Sequence, residues 1–325
     1  MKGDPVTKSG SREIFQGPRR PCLRGPYRRM SAIVSLAAQL LLVSTSSVGA
    51  YTAAGDRQFP ASMILPQIGP SDALYLQGVS YREQSDDVPA LSVRETTVYG
   101  EFDKTITEDV SIGIIDGYGS RGQLGAQDRY GWQNFAASVR YQAVLNQLHE
   151  FLFTLEVVRE FGRTGADGVE AQPWGATTPR LTFGKGLGDL NIGYLRPLAI
   201  VATLGAELAD HAPRPNLLRT GFAIEYSIPY LESEVETLAL PRFLRAMTPM
   251  VEFLFINPVG RDYGTRSMGI IAPGVTYGGE GWELGADVLI PTTRATATGL
   301  GFRVQLALSF DFLFPNSLGK PLFGR

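Results

Sequence analysis

The sequence predicts an all-β chain: a transmembrane antiparallel up-and-down β-barrel of about 12 strands. Three observations carry the prediction. Segments of about ten residues alternate between apolar and polar side chains along most of the chain. They follow an amino terminus built like an export signal. After that terminus no apolar run reaches the about 20 residues a membrane helix needs. The clearest alternation is at the end: Phe302, Val304, Leu306, Leu308, Phe310 and Phe312 share one face, against Arg303, Gln305, Ala307, Ser309 and Asp311. Strand side chains alternate with a period of two, so this strand has one greasy side and one wet side.

Composition agrees. The 325 residues include 37 glycines, aromatics make up 10%, and charged residues make up only 19%, against about 25% in ordinary soluble domains.

Residues 1–50 read as an export signal peptide with a long basic leader. The apolar stretch 32–43 follows Arg19, Arg20, Arg24, Arg28 and Arg29, and Val48-Gly49-Ala50 supplies small residues for cleavage after Ala50. Met30 is an alternative start, and Arg28-Arg29 a weak twin-arginine motif. Cleavage removes eight basic and two acidic residues, leaving 22 and 30 and a net charge of −8, which argues against a nucleic-acid partner. It also removes Cys22, the one cysteine, so the mature chain holds no disulfide and no thiolate metal site.

Residues 51–72 contain prolines and little pattern, and are expected to be extended or to lie across the barrel mouth as a plug. The barrel is expected over 73–314. Alternation is strong in 134–145, 150–161, 198–208, 218–230, 282–290 and 302–312. It is weaker in 73–82, 91–103, 109–118, 178–185, 244–257 and 267–278. The total is even, as bacterial single-chain barrels require.

Short turns at 104–108, 146–148 and Gly279-Glu280 alternate with longer glycine-rich loops at 119–132 and 163–177. The connections 186–195 and 231–243 are long where short periplasmic turns are expected, and the second has room for a rim helix. Tyr226, Tyr230, Phe253, Phe255, Tyr277, Trp282, Phe310 and Phe312 suit interfacial aromatic girdles. Residues 315–325 are expected to be a periplasmic tail, which leaves the last strand without the terminal aromatic residue that insertion machinery commonly reads.

No catalytic or metal-ligating set emerges, and no cofactor is expected. His149 and His211 lack metal-ligand spacing and no Gly-x-Ser-x-Gly elbow accompanies them. Ser227 and Ser309 fall on lumen-side positions. Glu150, Glu156 and Glu160 lie too far apart along one strand for a glycosidase pair, which needs roughly 5–10 Å. The run Gly184-Lys185-Gly186-Leu187-Gly188-Asp189 lacks phosphate-loop spacing and reads as a sharp turn or bulge. The candidate functional residues are therefore lumen-lining: Arg140, Glu156, Arg219, Glu225, Asp287, Arg303, Gln305 and Asp311. Both signs occur, so these groups can pair across the lumen and narrow it.

The run 184–190, Gly-Lys-Gly-Leu-Gly-Asp-Leu, followed by Leu195-Arg196-Pro197-Leu198, resembles part of the phenol-degradation meta-pathway family of outer-membrane proteins, whose members are assigned to transport. Residues 226–231, 271–274 and 314–321 look like the same broad group of envelope proteins. The resemblance covers about residues 175–325. It implies a membrane barrel passing small compounds, hydrophobic or aromatic ones among them, and it transfers no functional residue.

The expectation is a passive outer-membrane channel whose partners are outer-membrane lipid, a small-molecule solute and the barrel insertion machinery. An outer-membrane enzyme such as a lipid hydrolase and a periplasmic ligand-binding β-protein are the alternatives. On this reading Leu306→Arg hinders insertion and Gln305→Arg is tolerated.

Overall fold

The computed structural model describes residues 52–83, 93–123, 127–169, 171–260 and 265–323; the export-signal reading of residues 1–50 falls outside them. A short hairpin, β1 (Thr52–Ala54) and β2 (Arg57–Phe59), comes first. The wall follows: β3 (Ala73–Glu83), β4 (Val93–Thr107), β5 (Val110–Gln123), β6 (Arg129–Trp132), β7 (Ala136–Asn146), β8 (Phe151–Glu160), β9 (Ala176–Gly186) and β10 (Leu198–Ala209). It continues with β11 (Asn216–Tyr226), β12 (Met247–Val259), β13 (Met268–Gly279), β14 (Trp282–Pro291) and β15 (Gly301–Ser309).

Each wall strand pairs antiparallel with its neighbours, and β3 pairs with β15, Gln77 opposite Gln305, so the sheet closes on itself. β6 and β7 both pair with β5 and occupy one position in the wall. The result is a closed barrel of 12 strands. Closure pairs the twelve wall positions around the barrel, which is the condition for crossing hydrocarbon with strands.

Burial is inside out. Phe302 and Val304 are 59% and 60% exposed, while Gln305 on the opposite face is 2% exposed. Ile112, Ile114, Val139, Tyr141, Leu155, Val157, Leu204 and Ile224 are likewise exposed, and Arg140, Glu252 and Glu283 are buried. In water this arrangement forfeits about 25 cal/mol for each Å² of apolar surface left outside. A solvent of lipid tails removes that penalty, and the alternation read from the sequence is the lipid/lumen alternation of a membrane barrel.

Three expected elements change. β11 stops at Tyr226, and Ile228–Tyr230 forms a helical turn. Ser227 caps it by accepting the Tyr230 N–H (3.2 Å), and Pro229 has no N–H to give a ladder. Tyr230 is consequently buried, not a girdle residue. β15 stops at Ser309, and Phe310–Leu313 is a helical turn, which takes Phe310 and Phe312 off the strand. The glycine-rich stretch 119–132 holds strand at both ends, because β5 runs to Gln123 and Arg129–Trp132 pairs back onto it. The long connection 227–246 carries short helical segments at 228–235 and 242–245.

Candidate functional site: the barrel lumen

The lumen is occupied by the chain's own residues 57–72. They enter at the end where β3 begins and β15 finishes, climb to about half the height of β12, and return to Asp72 at the same rim.

Arg57 anchors the first leg. Its guanidinium is buried, pairs with Glu150 at 3.3 Å, donates to the carbonyls of Pro197 (2.9 Å) and Arg196, and lies 4.0 Å from the Tyr230 ring centroid. Gly186 and Gly188 make room: a β-carbon on either would strike the Glu150 carboxylate. The Gly184-to-Asp189 run is thus a socket for this anchor, not a phosphate loop. Phe59 follows and packs over Gly184, within a cluster of Ala54, Leu65, Ile68, Leu152, Ala199 and Val201.

At the top of the climb, consecutive N–H groups of Met63 (3.2 Å), Ile64 (2.9 Å) and Leu65 (3.4 Å) converge on the Glu252 carboxylate. Ala61 N–H donates to Glu283 (3.0 Å), Arg303 donates to the Met63 carbonyl, and Gln305 donates to the Ala61 carbonyl (3.3 Å). A bend with no ladder partners has its backbone satisfied by wall side chains, as buried backbone requires. On the return leg Arg140 reaches the Gly69 carbonyl (3.4 Å), and Ser71 Oγ donates to Asp103 (3.2 Å).

The wall around this segment is divided. Over β4 and β7–β11 it is ion-paired. Arg140 contacts Asp103, Glu101 (3.1 Å) and Glu156 (3.1 Å), and Glu156 also takes Arg180. Farther toward the opposite end, Glu207 takes Arg219 (2.5 Å) and Arg214 (2.7 Å), and Arg214 also reaches Glu160 (2.5 Å). Burying Arg140 costs several kcal/mol, which three carboxylates and a carbonyl offset.

Over β3 and β12–β15 the wall is polar where it holds the plug, at Glu252, Glu283, Asp287, Arg303 and Gln305, and apolar above it. Above Ile64, inward-facing Val79, Tyr81, Leu254, Ile256, Ile270 and Leu289 surround a cavity of about 190 Å³, with Arg303 at its edge. That exceeds the roughly 150 Å³ of a dry apolar cavity able to take benzene.

Of the residues singled out from sequence, Arg140, Glu156, Glu225, Asp287 and Gln305 are buried and face inward, and Arg219 and Arg303 face inward beside their partners. Asp311 does not line the lumen. It sits in the helical turn after β15, exposed at the rim, because the strand ends two residues earlier. Sequence reading missed Arg57, Asp103, Arg180, Glu207, Glu252 and Glu283.

The histidines lie on connections at opposite ends. His149 is 3.4 Å from Asp189, and the His211 ring is 4.8 Å from that of Trp174. The groups of acids and histidines expected of a metal site are absent among the described residues.

No protein-family model and no curated protein matches the chain. Solved structures do. A crystal structure of an outer membrane channel from Pseudomonas putida F1 superposes with a TM-score of 0.54 at 8% identity, covering 82% of this chain and 100% of that one. A KdgM porin gives 0.41 at 11% identity, covering 73% and 99%, and LpxR from Salmonella typhimurium gives 0.41 at 8%, covering 73% and 100%. At 0.41 these two add no argument about this chain. The channel from Pseudomonas putida F1 shares the fold: this chain has the architecture of an outer-membrane β-barrel.

Proposed function

We propose that the protein is a bacterial outer-membrane channel that admits small, predominantly apolar molecules, hydrophobic or aromatic, and that residues 57–72 are its plug. The observation that carries this reading is the cavity above Ile64. It is built above the plug from inward-facing apolar side chains, with Arg303 at its edge, and faces a wall that is ion-paired. A wall that selects by shape and greasiness on one face and is closed by charge on the other favours an apolar solute over a hydrated one. The cavity lies beside the 292–300 connection, and the plug lies between it and the end bearing Ala73 and Ser309. Passage then requires the plug to shift, with solute moving down its gradient and no chemical step.

The test is a planar bilayer holding the full protein. Small or absent ion steps are expected for the wild type, with larger steps when Arg57→Ala frees the first leg. Toluene should reduce the steps of the freed channel, and Leu254→Trp, which fills the cavity, should remove that sensitivity. Large, toluene-insensitive steps in the wild type would overturn the reading.

A further inference from the structure

After β15 the chain turns back along the outside of the barrel. Alternation fixes the side. Asp103 contacts inward-facing Arg140, so its strand neighbour Lys104 points outward, and Asp72, just before β3, meets it there. A bare ion pair is out of place on a lipid-facing wall.

Here it is covered. Lys104 Nζ donates to Asp72 (2.5 Å) and to the carbonyls of Leu318 (3.0 Å) and Lys320 (2.8 Å), leaving the two side chains 11% and 1% exposed. The tail is fastened further along by Leu322 N–H to the Thr105 carbonyl (3.2 Å) and Phe323 N–H to the Ile106 carbonyl (2.8 Å). Its polar backbone therefore faces the barrel. Its exposed side chains are mostly apolar, Phe312, Phe314, Leu318, Leu322 and Phe323, interspersed with Asp311, Asn316, Ser317 and Lys320.

We propose that residues 310–323 form an interfacial lipid-binding segment, seated at the headgroup–acyl boundary of the leaflet at this end of the barrel. The inference rests on the membrane reading above. Two features favour lipid over a protein partner. The exposed side chains continue the apolar outer wall of β15, at Phe302 and Val304. Ile192, Tyr194 and Phe243, on other connections at the same end, are exposed too. A bilayer meets residues spread around a rim all at once, whereas a partner protein docks on one sector. Rings and branched side chains at that level match the preference of amphipathic and apolar groups for the interface.

The absence of cysteine after Cys22 makes a clean experiment available. The full chain carrying Cys22→Ser receives one cysteine at a time, Phe314→Cys or Leu322→Cys, with Val304→Cys as lipid reference and Ala295→Cys as aqueous reference. Each is labelled with a nitroxide in phosphatidylethanolamine–phosphatidylglycerol vesicles, and its accessibility to oxygen is compared with that to a water-soluble nickel chelate. The expected oxygen-to-nickel ratio at 314 and 322 lies between those at 304 and 295 and several-fold above that at 295. Ratios at 314 and 322 matching 295, with 304 still oxygen-favouring, would overturn the lipid segment and leave the barrel standing. A nickel-favouring label at 304 would overturn both.

Discussion

Arg57 and Glu150 meet at 3.3 Å, 93 residues apart in sequence, each almost wholly buried at the foot of the lumen. Glu150 holds a positive φ of 48° in the turn before β8, which aims its carboxylate at Gly186, Gly188 and the plug. Removing one partner of a buried pair costs about 3–5 kcal/mol, because the other charge is left stranded. Arg57→Ala should therefore shift the first leg of the plug toward release by two decades or more. The expected result is larger conductance with heat-modifiable gel migration retained. A variant that conducts like the wild type would mean that this pair does not hold the plug.

The Glu252 carboxylate makes the other anchor. Three successive N–H groups point at it, and bonds to a charged acceptor contribute about 1.5–3 kcal/mol each when the alternative is an unpaired buried group. Glu252→Ala leaves Met63, Ile64 and Leu65 without acceptors, so the bend should loosen. Met63, 1% exposed in the intact lumen, should become oxidisable by peroxide much faster. Glu252→Gln, which keeps one acceptor oxygen, should fall between.

All twelve wall strands are legible in the sequence, and the reason why some read weakly is physical. Alternation is sharp in β8, β10 and β15, whose inward positions include Thr154, Glu156, Thr203, Glu207, Arg303 and Gln305 beside small residues. It blurs in β12, where inward Met250, Leu254 and Ile256 face plug or cavity and so are as apolar as outward Phe253 and Phe255. In β12 the weak alternation reflects an inward face that packs against plug and cavity. The plug itself was unreadable in detail. Its backbone bonds go to Glu252, Glu283 and Gln305, which lie 187–244 residues away in sequence. Local pattern holds no trace of such pairings. The Asp311 misplacement had a local cause, since nothing in Ser309-Phe310-Asp311 announces that the ladder stops.

The two faces of β15 should respond differently to one added charge. Leu306→Arg puts a cation on the lipid side and should cost about 2–4 kcal/mol near the midplane, lowering the inserted yield. Gln305→Arg should insert, yet it is not silent as the sequence alone suggests. Gln305 is 2% exposed, accepts from Gln77 (2.5 Å) and donates to the plug at Ala61. Its replacement should raise conductance through a disturbed plug. Equal inserted yields for the two variants would contradict the assignment of faces.

At the opposite end, Arg159 grips Asp210 through both nitrogens (2.6 and 2.5 Å), tying β8 to the 210–215 connection. The hydrogen bonds and charge of Arg159 hold the Asp210 carboxyl below its ordinary range. A carboxyl whose folded value is depressed adds stability above its unfolded value, about 3.9, and loses it as pH falls through the folded value. The connection should therefore keep its hydrogen-exchange protection from pH 7 down to about 4 and loosen below that. Asp210→Asn should show the loosened exchange at neutral pH and little change on acidification.

The Lys104–Asp72 pair supplies the last prediction, because it joins the final residue of the plug to the tail. Lys104→Met keeps length and greasiness but removes the ammonium that Asp72, Leu318 and Lys320 share. Asp72 retains Thr105 N–H (2.8 Å) and the Thr105 hydroxyl, so its own position should hold. The tail carbonyls have no such substitute. The tail should open, and the readout is direct: the Leu322 and Phe323 amides, bonded to the Thr105 and Ile106 carbonyls, should lose hydrogen-exchange protection. Stranding a buried carboxylate costs about 3–5 kcal/mol, and the part of this carried by the tail should appear as a loss of one to two decades in protection. Amides in the middle of β15, such as those of Val304 and Leu306, should be unchanged, since the barrel ladder does not pass through Lys104's side chain. Protection lost equally at 304 and 322 would mean that the ion pair supports the wall rather than the tail.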